Sequence, residues 1–92
     1  MYIISDTKVA DYKIWRIGFD KAAPLRDKAR LKVVEVFLYP DNLNQVIILF
    51  EEMTEGAWET YTSMPQVQEG MKHSGVQGKP DVKKLEKAPK VV

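Results

Sequence analysis

Two stretches of the chain, Leu31–Tyr39 and Gln45–Met53, are apolar on both of the faces that a strand would present. In the first, Val34, Val36 and Leu38 share one side, while Leu31, Val33, Phe37 and Tyr39 share the other. In the second, Val46, Ile48 and Phe50 oppose Ile47, Leu49 and Met53. Successive strand side chains point in opposite directions, so a hairpin with one wet face alternates apolar and polar residues. These strands do not alternate, and both sides need cover. Pro40-Asp41-Asn42-Leu43-Asn44 between them has the composition of a hairpin loop.

The remaining pattern supplies cover for one side only. Tyr2–Val9 is rich in β-formers and predicts a first strand. Asp11 is placed as N-cap of a helix beginning near Tyr12, whose apolar stripe is Tyr12, Trp15, Phe19 and Ala22. Pro24 ends or kinks that helix, and Leu25–Arg30 adds a short helical turn. Thr54 is the expected N-cap of the next helix, with Ala57, Trp58 and Tyr61 facing inward. A further helical piece opens at Pro65, turns Val67 and Met71 inward, and stops at Gly75. Gly78-Lys79-Pro80 reads as a loop, and Val82–Lys87 as a short last strand with lysines guarding an edge. The order is β-α-β-β-α-β: one α+β domain over residues 1–92, of the ferredoxin-like type. Its two helical regions pack together on one side of the sheet. The other apolar face then needs a partner, and an identical sheet is the simplest, so a homodimer is expected.

Composition narrows the partners. Fourteen basic and thirteen acidic side chains leave a net charge of +1, with no concentrated basic surface for nucleic acid. The basic stretch Lys79–Lys90 is interrupted by Asp81 and Glu86 and reads as a solvated tail. With no cysteine, disulfides, thiolate nucleophiles and Cys-based metal sites are excluded. The longest wholly apolar run, Val46–Phe50, is too short for a membrane, and the start has no signal-peptide pattern. A cytoplasmic location is the default expectation.

Few side chains suit acid–base chemistry. His73, the only histidine, is a candidate general base by its ordinary pKa near neutrality, but it also fits the last turn of a helix, where the dipole favours it. One histidine cannot by itself build a transition-metal centre, and no metal is expected. Trp15, Trp58, Tyr12, Tyr39 and Tyr61 form a second set. The helical members lie on the sheet-facing stripes, where they either fill the core or wall a cavity for a flat aromatic ligand, with phenol hydroxyls fixing its orientation. Glu35 and Glu51 interrupt apolar strand patterns, and Glu35, sharing a face with Val33 and Phe37, is the candidate carboxylate at a pocket or dimer interface. Arg16 and Arg26 flank the first helical region and suit either an anionic substrate or a solvated face.

Particular residues add a resemblance to that topology. Val9-Ala10-Asp11-Tyr12-Lys13-Ile14-Trp15, Phe19-Asp20, Ala23-Pro24-Leu25-Arg26, Phe37–Asp41, Leu49-Phe50-Glu51 and Pro65 through Met71 to Gly75–Pro80 resemble the dimeric α+β barrel superfamily. The nearest likeness is to its small antibiotic-biosynthesis-monooxygenase-like or cyclase-like proteins. The resemblance implies a ferredoxin-like protomer, a sheet packed on its twofold mate, and a pocket between sheet and helices. It also implies small-molecule chemistry without a tightly bound cofactor, as in cofactor-free oxygenases of polyphenols, polyketide cyclases, haem-degrading oxygenases and muconolactone-type isomerases. Two signatures differ here. The cyclase histidine two residues after the helix-opening proline is Val67, and the Trp and His of the haem-degrading set appear as Tyr61 and Met71. The expectation is an oxygenase or cyclase/isomerase acting on an aromatic or polyketide-like substrate, with Tyr61, His73 and Glu35 as catalytic candidates. Tyr12, Trp15, Tyr39, Trp58 and Arg26 are the substrate-binding candidates. A noncatalytic small-ligand-binding or structural homodimer stands as the alternative.

Overall fold

A computed structural model describes residues 1–91. The order is β1 (Tyr2–Val9), α1 (Tyr12–Lys21), α2 (Ala23–Ala29), β2 (Leu31–Tyr39), β3 (Asn42–Glu52), α3 (Ala57–Thr62), α4 (Pro65–His73) and β4 (Val76–Leu85). The four strands form one antiparallel sheet in the order β2-β3-β1-β4, the ferredoxin-like arrangement. Asp11 begins α1 as expected, its Oδ1 accepting from Lys13 N at 2.9 Å and Ile14 N at 3.5 Å. Pro24 stands at the start of α2, where its missing N–H is harmless, so α1 ends just before it and the short helical piece that follows is Ala23–Ala29.

The helices cover one face of the sheet. Ile3, Val9, Val46, Ile48, Phe50 and Leu31 point into that layer and are buried against Trp15, Ala29, Ala57, Tyr61 and Val67. The opposite face carries half-buried Ile4, Ile47 and Leu49 flanked by exposed Val34, Phe37 and Leu85. Both faces therefore carry apolar residues, as the strand pattern required, and on the outer one Asp6, Lys8, Lys32, Glu35 and Glu51 surround that apolar strip.

Three local expectations are corrected by the hydrogen-bond register. Between Val33 and Glu35 the pairing of β2 with β3 slips by one residue. That bulge reverses the alternation, so Leu31 and Val33 point inward together with Val36 and Leu38, and Glu35 shares the outer face with Phe37 and Tyr39 rather than with Val33. The hairpin is tighter than a five-residue loop, because Tyr39 pairs with Asn42 and the strand resumes immediately. The segment Gly78–Pro80 lies inside β4: pairing runs from Lys8–Gln77 to Asp6–Asp81, and the extra residues bulge out with Gly78 at φ +69°. The last strand is accordingly longer than expected and starts at Val76.

One helix boundary moves and another stands where the pattern put it. Helix α3 starts at Ala57 behind Gly56 (φ +78°), not at Thr54, and Glu52 Oε2 accepts from Trp58 N at 2.9 Å across the turn. Helix α4 opens at Pro65 and stops before Gly75 as expected: Gly75 takes φ +83° beside Ala10, whose N–H donates to Gly75 O at 2.9 Å.

Candidate functional site

Inward-facing β1 residues alternate as Ile3, Ser5, Thr7 and Val9, and the two hydroxyls break what would otherwise be a solid apolar floor. Ser5 is 2% and Thr7 3% exposed, and their oxygens lie 3.1 Å apart. One hydroxyl hydrogen is used in that bond. The other has no acceptor among the described residues, so the pair can donate to something above it.

Above it lies a cavity of about 570 Å³ between sheet and helices. Five aromatic residues line it, Trp15 and Phe19 from α1, Phe50 from β3, Trp58 and Tyr61 from α3, and Ile48, Met71, Val76 and Val82 add aliphatic surface. The rings form a continuous series. Trp15 stacks on Phe19 at 4.7 Å between centroids, Phe19 meets Phe50 at 6.4 Å, Phe50 meets Trp58 at 5.2 Å and Trp58 meets Tyr61 at 6.5 Å. Neither indole N–H has an acceptor among the described residues. The volume falls in the range that holds one small organic ligand, and the lining is apolar with a few convergent donors. The β4 bulge brings Lys79 and Pro80 to the cavity, and among the described residues no carboxylate lines it. Lys79 is its one charged lining residue among the described residues, and it is exposed.

Tyr61 is held from behind. The residue is 7% exposed, and its Oη accepts from Arg26 Nη1 at 3.2 Å. The Arg26 guanidinium lies 4.0 Å from the Phe19 centroid and 5.9 Å from that of Tyr61, a buried cation seated on ring faces. Because Arg26 donates to the phenol oxygen, the phenol's own hydrogen stays free for a ligand. A chain of donors thus runs from guanidinium to phenol, and each bond polarises the next.

Of the residues singled out from sequence, Trp15, Trp58 and Tyr61 line the cavity, and Arg26 sits behind Tyr61. Tyr12 stops short of the cavity: its ring lies 6.0 Å from Trp15 and its Oη accepts from Arg16 Nη1 at 3.3 Å, while Arg16 also pairs with Asp20 at 3.1 Å. Tyr39 and Glu35 are on the far face of the sheet. Tyr39 donates to Asp6 Oδ2 at 3.3 Å; desolvation, with the Asp6 carboxylate beside it, raises its phenol above the ordinary tyrosine value. Glu35 accepts from the backbone of Val36 at 3.1 Å. His73 lies at the solvent end of α4, beside Glu69 at 3.5 Å, in an outer groove between α1 and α4 and away from the aromatic cavity. Ser5, Thr7 and Lys79 were not singled out from sequence. The hydroxyls at alternate inward positions of β1 are a signal that the strand pattern does contain. Lys79 reaches the site only through the bulge.

Similar architectures exist among solved structures. SnoaB, a cofactor-independent oxygenase from Streptomyces nogalater, superposes with a TM-score of 0.68 at 9% identity over 95% of this chain and 93% of its own. An antibiotic biosynthesis monooxygenase superposes at 0.63, with 10% identity over 97% of this chain and all of its own. A protein assigned to the same class from Deinococcus radiodurans superposes at 0.59, with 17% identity over 100% and 99% of the two chains. The fold is that of the antibiotic-biosynthesis-monooxygenase-like proteins. No family model and no curated protein matches the sequence. At these identities the likeness fixes the fold, and the reaction has to be argued from the cavity.

Proposed function

We propose that the chain is a cofactor-independent oxygenase for a flat, phenolic, polyketide-like substrate bound in the aromatic cavity. The observation that carries this is the cavity itself: ring walls of Trp15, Phe19, Phe50 and Trp58 over a floor of two hydroxyls, with Tyr61 and Lys79 as further donors. Donors without a lining carboxylate favour a substrate that carries negative charge, such as a phenolate. The fold shared with SnoaB, itself a cofactor-independent oxygenase, supports the same reaction class.

In this reading the substrate supplies all the electrons. Its anion passes one electron to O2; the resulting radical pair recombines at carbon to a peroxide, and loss of water leaves a carbonyl. A ring CH2 and one O2 thereby become C=O and H2O. The protein's part is to hold the anion flat, stabilise its oxygen through Tyr61 and the Ser5–Thr7 pair, and keep bulk water off the radical pair. Arg26 acts as a positioning residue through Tyr61.

The working unit in this proposal is a homodimer. The outer sheet face exposes Val34, Phe37 and Leu85 around Ile4, Ile47 and Leu49, an apolar face that a second copy would cover.

The test is oxygen uptake by chelator-treated protein given an anthrone or related polyphenol. Uptake of one O2 per quinone formed, abolished when Trp58→Ala opens the wall, supports the reading. Saturable quenching of tryptophan fluorescence by the same compounds without any oxygen uptake would replace it with the noncatalytic ligand-binding alternative.

A further inference from the structure

Arg26 has a second side that the aromatic cavity does not use. Its guanidinium makes one hydrogen bond, to Tyr61, and its other N–H groups have no acceptor among the described residues. The residue is only 5% exposed, yet no nitrogen of it is sealed from solvent without a partner. What opens onto it is a separate cleft of about 580 Å³ between α2 and the start of β2.

That cleft is built from two kinds of residue. Leu31, Val33 and Met53 give it apolar surface, and Arg26, Arg30 and Lys32 give it positive charge against a single carboxylate among the described residues, Asp27. None of the three cations has a carboxylate oxygen within 4.0 Å among the described residues. Arg30 is the only non-glycine residue described with positive φ, at +64° as the C-cap of α2. Glycine or asparagine would hold that backbone at lower cost, so an arginine there adds charge at a position that does not favour it.

The Arg26 guanidinium is held mostly out of bulk water, and its unused donors reach solvent through this cleft, so an anion that enters there gains charge-assisted hydrogen bonds that water alone does not match. Its two parallel N–H groups match the two oxygens of a carboxylate, and the apolar residues beside it have no use for a bare inorganic anion. We infer that the cleft binds a small aliphatic carboxylate. Its oxygens rest on Arg26, with Arg30 and Lys32 at the rim, and its hydrocarbon part lies on Leu31, Val33 and Met53. The occupant is thus one side chain away from Tyr61, and the inference does not depend on the oxygenase reading.

Two-dimensional amide NMR of the full chain at low ionic strength tests it, with butyrate and inorganic phosphate as separate probes at matched ionic strength. Expected are saturable butyrate shifts centred on Arg26, Arg30 and Lys32, with the Tyr61 ring responding, and weaker binding of phosphate. Arg26→Lys, which breaks the fork, should weaken butyrate about tenfold. If that variant does not fold, Arg30→Asn with Lys32→Gln decides: both side chains are exposed, and an affinity loss of about threefold to fivefold is expected. The inference is overturned by no saturable shift, by shifts centred on Ser5, Thr7 and Trp58, by phosphate binding as tightly as butyrate, or by unchanged affinity in the rim variant.

Discussion

Removing one oxygen atom from Tyr61 tests how the cavity wall is held. In Tyr61→Phe the ring remains, but Arg26 Nη1 loses the acceptor 3.2 Å away, and both residues are more than nine-tenths buried. A buried donor left without a partner costs about 1–3 kcal/mol, and bonds to charged groups lie in the upper part of that range. Since Arg26 also reaches the open cleft, where water can take up part of the loss, about 2 kcal/mol is the working value. For a domain of this length, each kcal/mol moves the midpoint by about 5 °C, so a fall in Tm of about 10 °C is expected. Thermal unfolding followed by circular dichroism measures it, at one fixed protein concentration so that association does not contribute. Arg26→Met in the same assay closes a double-mutant cycle. Removing both polar partners should cost less than the sum of the single losses, with a coupling of about 1–2 kcal/mol. A Tm loss under about 2 °C in Tyr61→Phe, or a coupling near zero, would refute the hydrogen bond as the element that fixes the phenol.

Three further outcomes are expected. Thr7→Val keeps volume but leaves Ser5 as the only floor hydroxyl; affinity for a phenolic ligand, read by tryptophan quenching, should fall about tenfold, and an unchanged affinity would remove the floor from the site. Phe37→Glu puts a charge on the outer face at a side chain that is 50% exposed, so the protomer should stay folded while light scattering shifts from dimer to monomer mass; a wild-type protein already monomeric at micromolar concentration removes the dimer instead. Lys84 bonds Glu59 and ties β4 to α3. The hydrogen bond from Lys84 holds the Glu59 carboxyl below its ordinary value, and the same bond raises Lys84 above its own. A depressed carboxylate stabilises above its unfolded value and loses that contribution as pH falls through the folded one; a raised lysine stabilises below its unfolded value and loses it as pH rises through the folded one. Lys84→Gln should therefore lower Tm slightly at neutral pH, with the difference from wild type vanishing in acid and shrinking with added salt. A difference that persists below the carboxylate range would rule the pair out.

How much of this was legible in the sequence depends on the range of the interactions involved. The six-element order, the Asp11 cap and the two apolar faces of β2 and β3 were legible because periodicity and capping act within a few residues of the chain. The same local chemistry marked Trp15, Trp58 and Tyr61 as facing the sheet, which the cavity lining bears out. Register is not local. The slip at Val33–Glu35 moved Val33 to the helix side, separating it from Glu35, and the bulge at Gly78–Pro80 converted an expected loop into the segment that carries Lys79 to the cavity. Whether a strand gains an extra residue is decided by its fit to its neighbours, since a one-residue shift exchanges every side chain between faces. Tyr12 and Trp15 share a helical stripe, yet only Trp15 lines the cavity, because distance to the sheet depends on how the helix is laid across it. The pairing of Arg26 with Tyr61, thirty-five residues apart, belongs to the same class. Periodicity in the sequence determined which faces are apolar. Tertiary packing alone decided that one of those faces leaves a cavity, which donor-bearing residues line it, and that a buried arginine stands between it and a second, charged cleft.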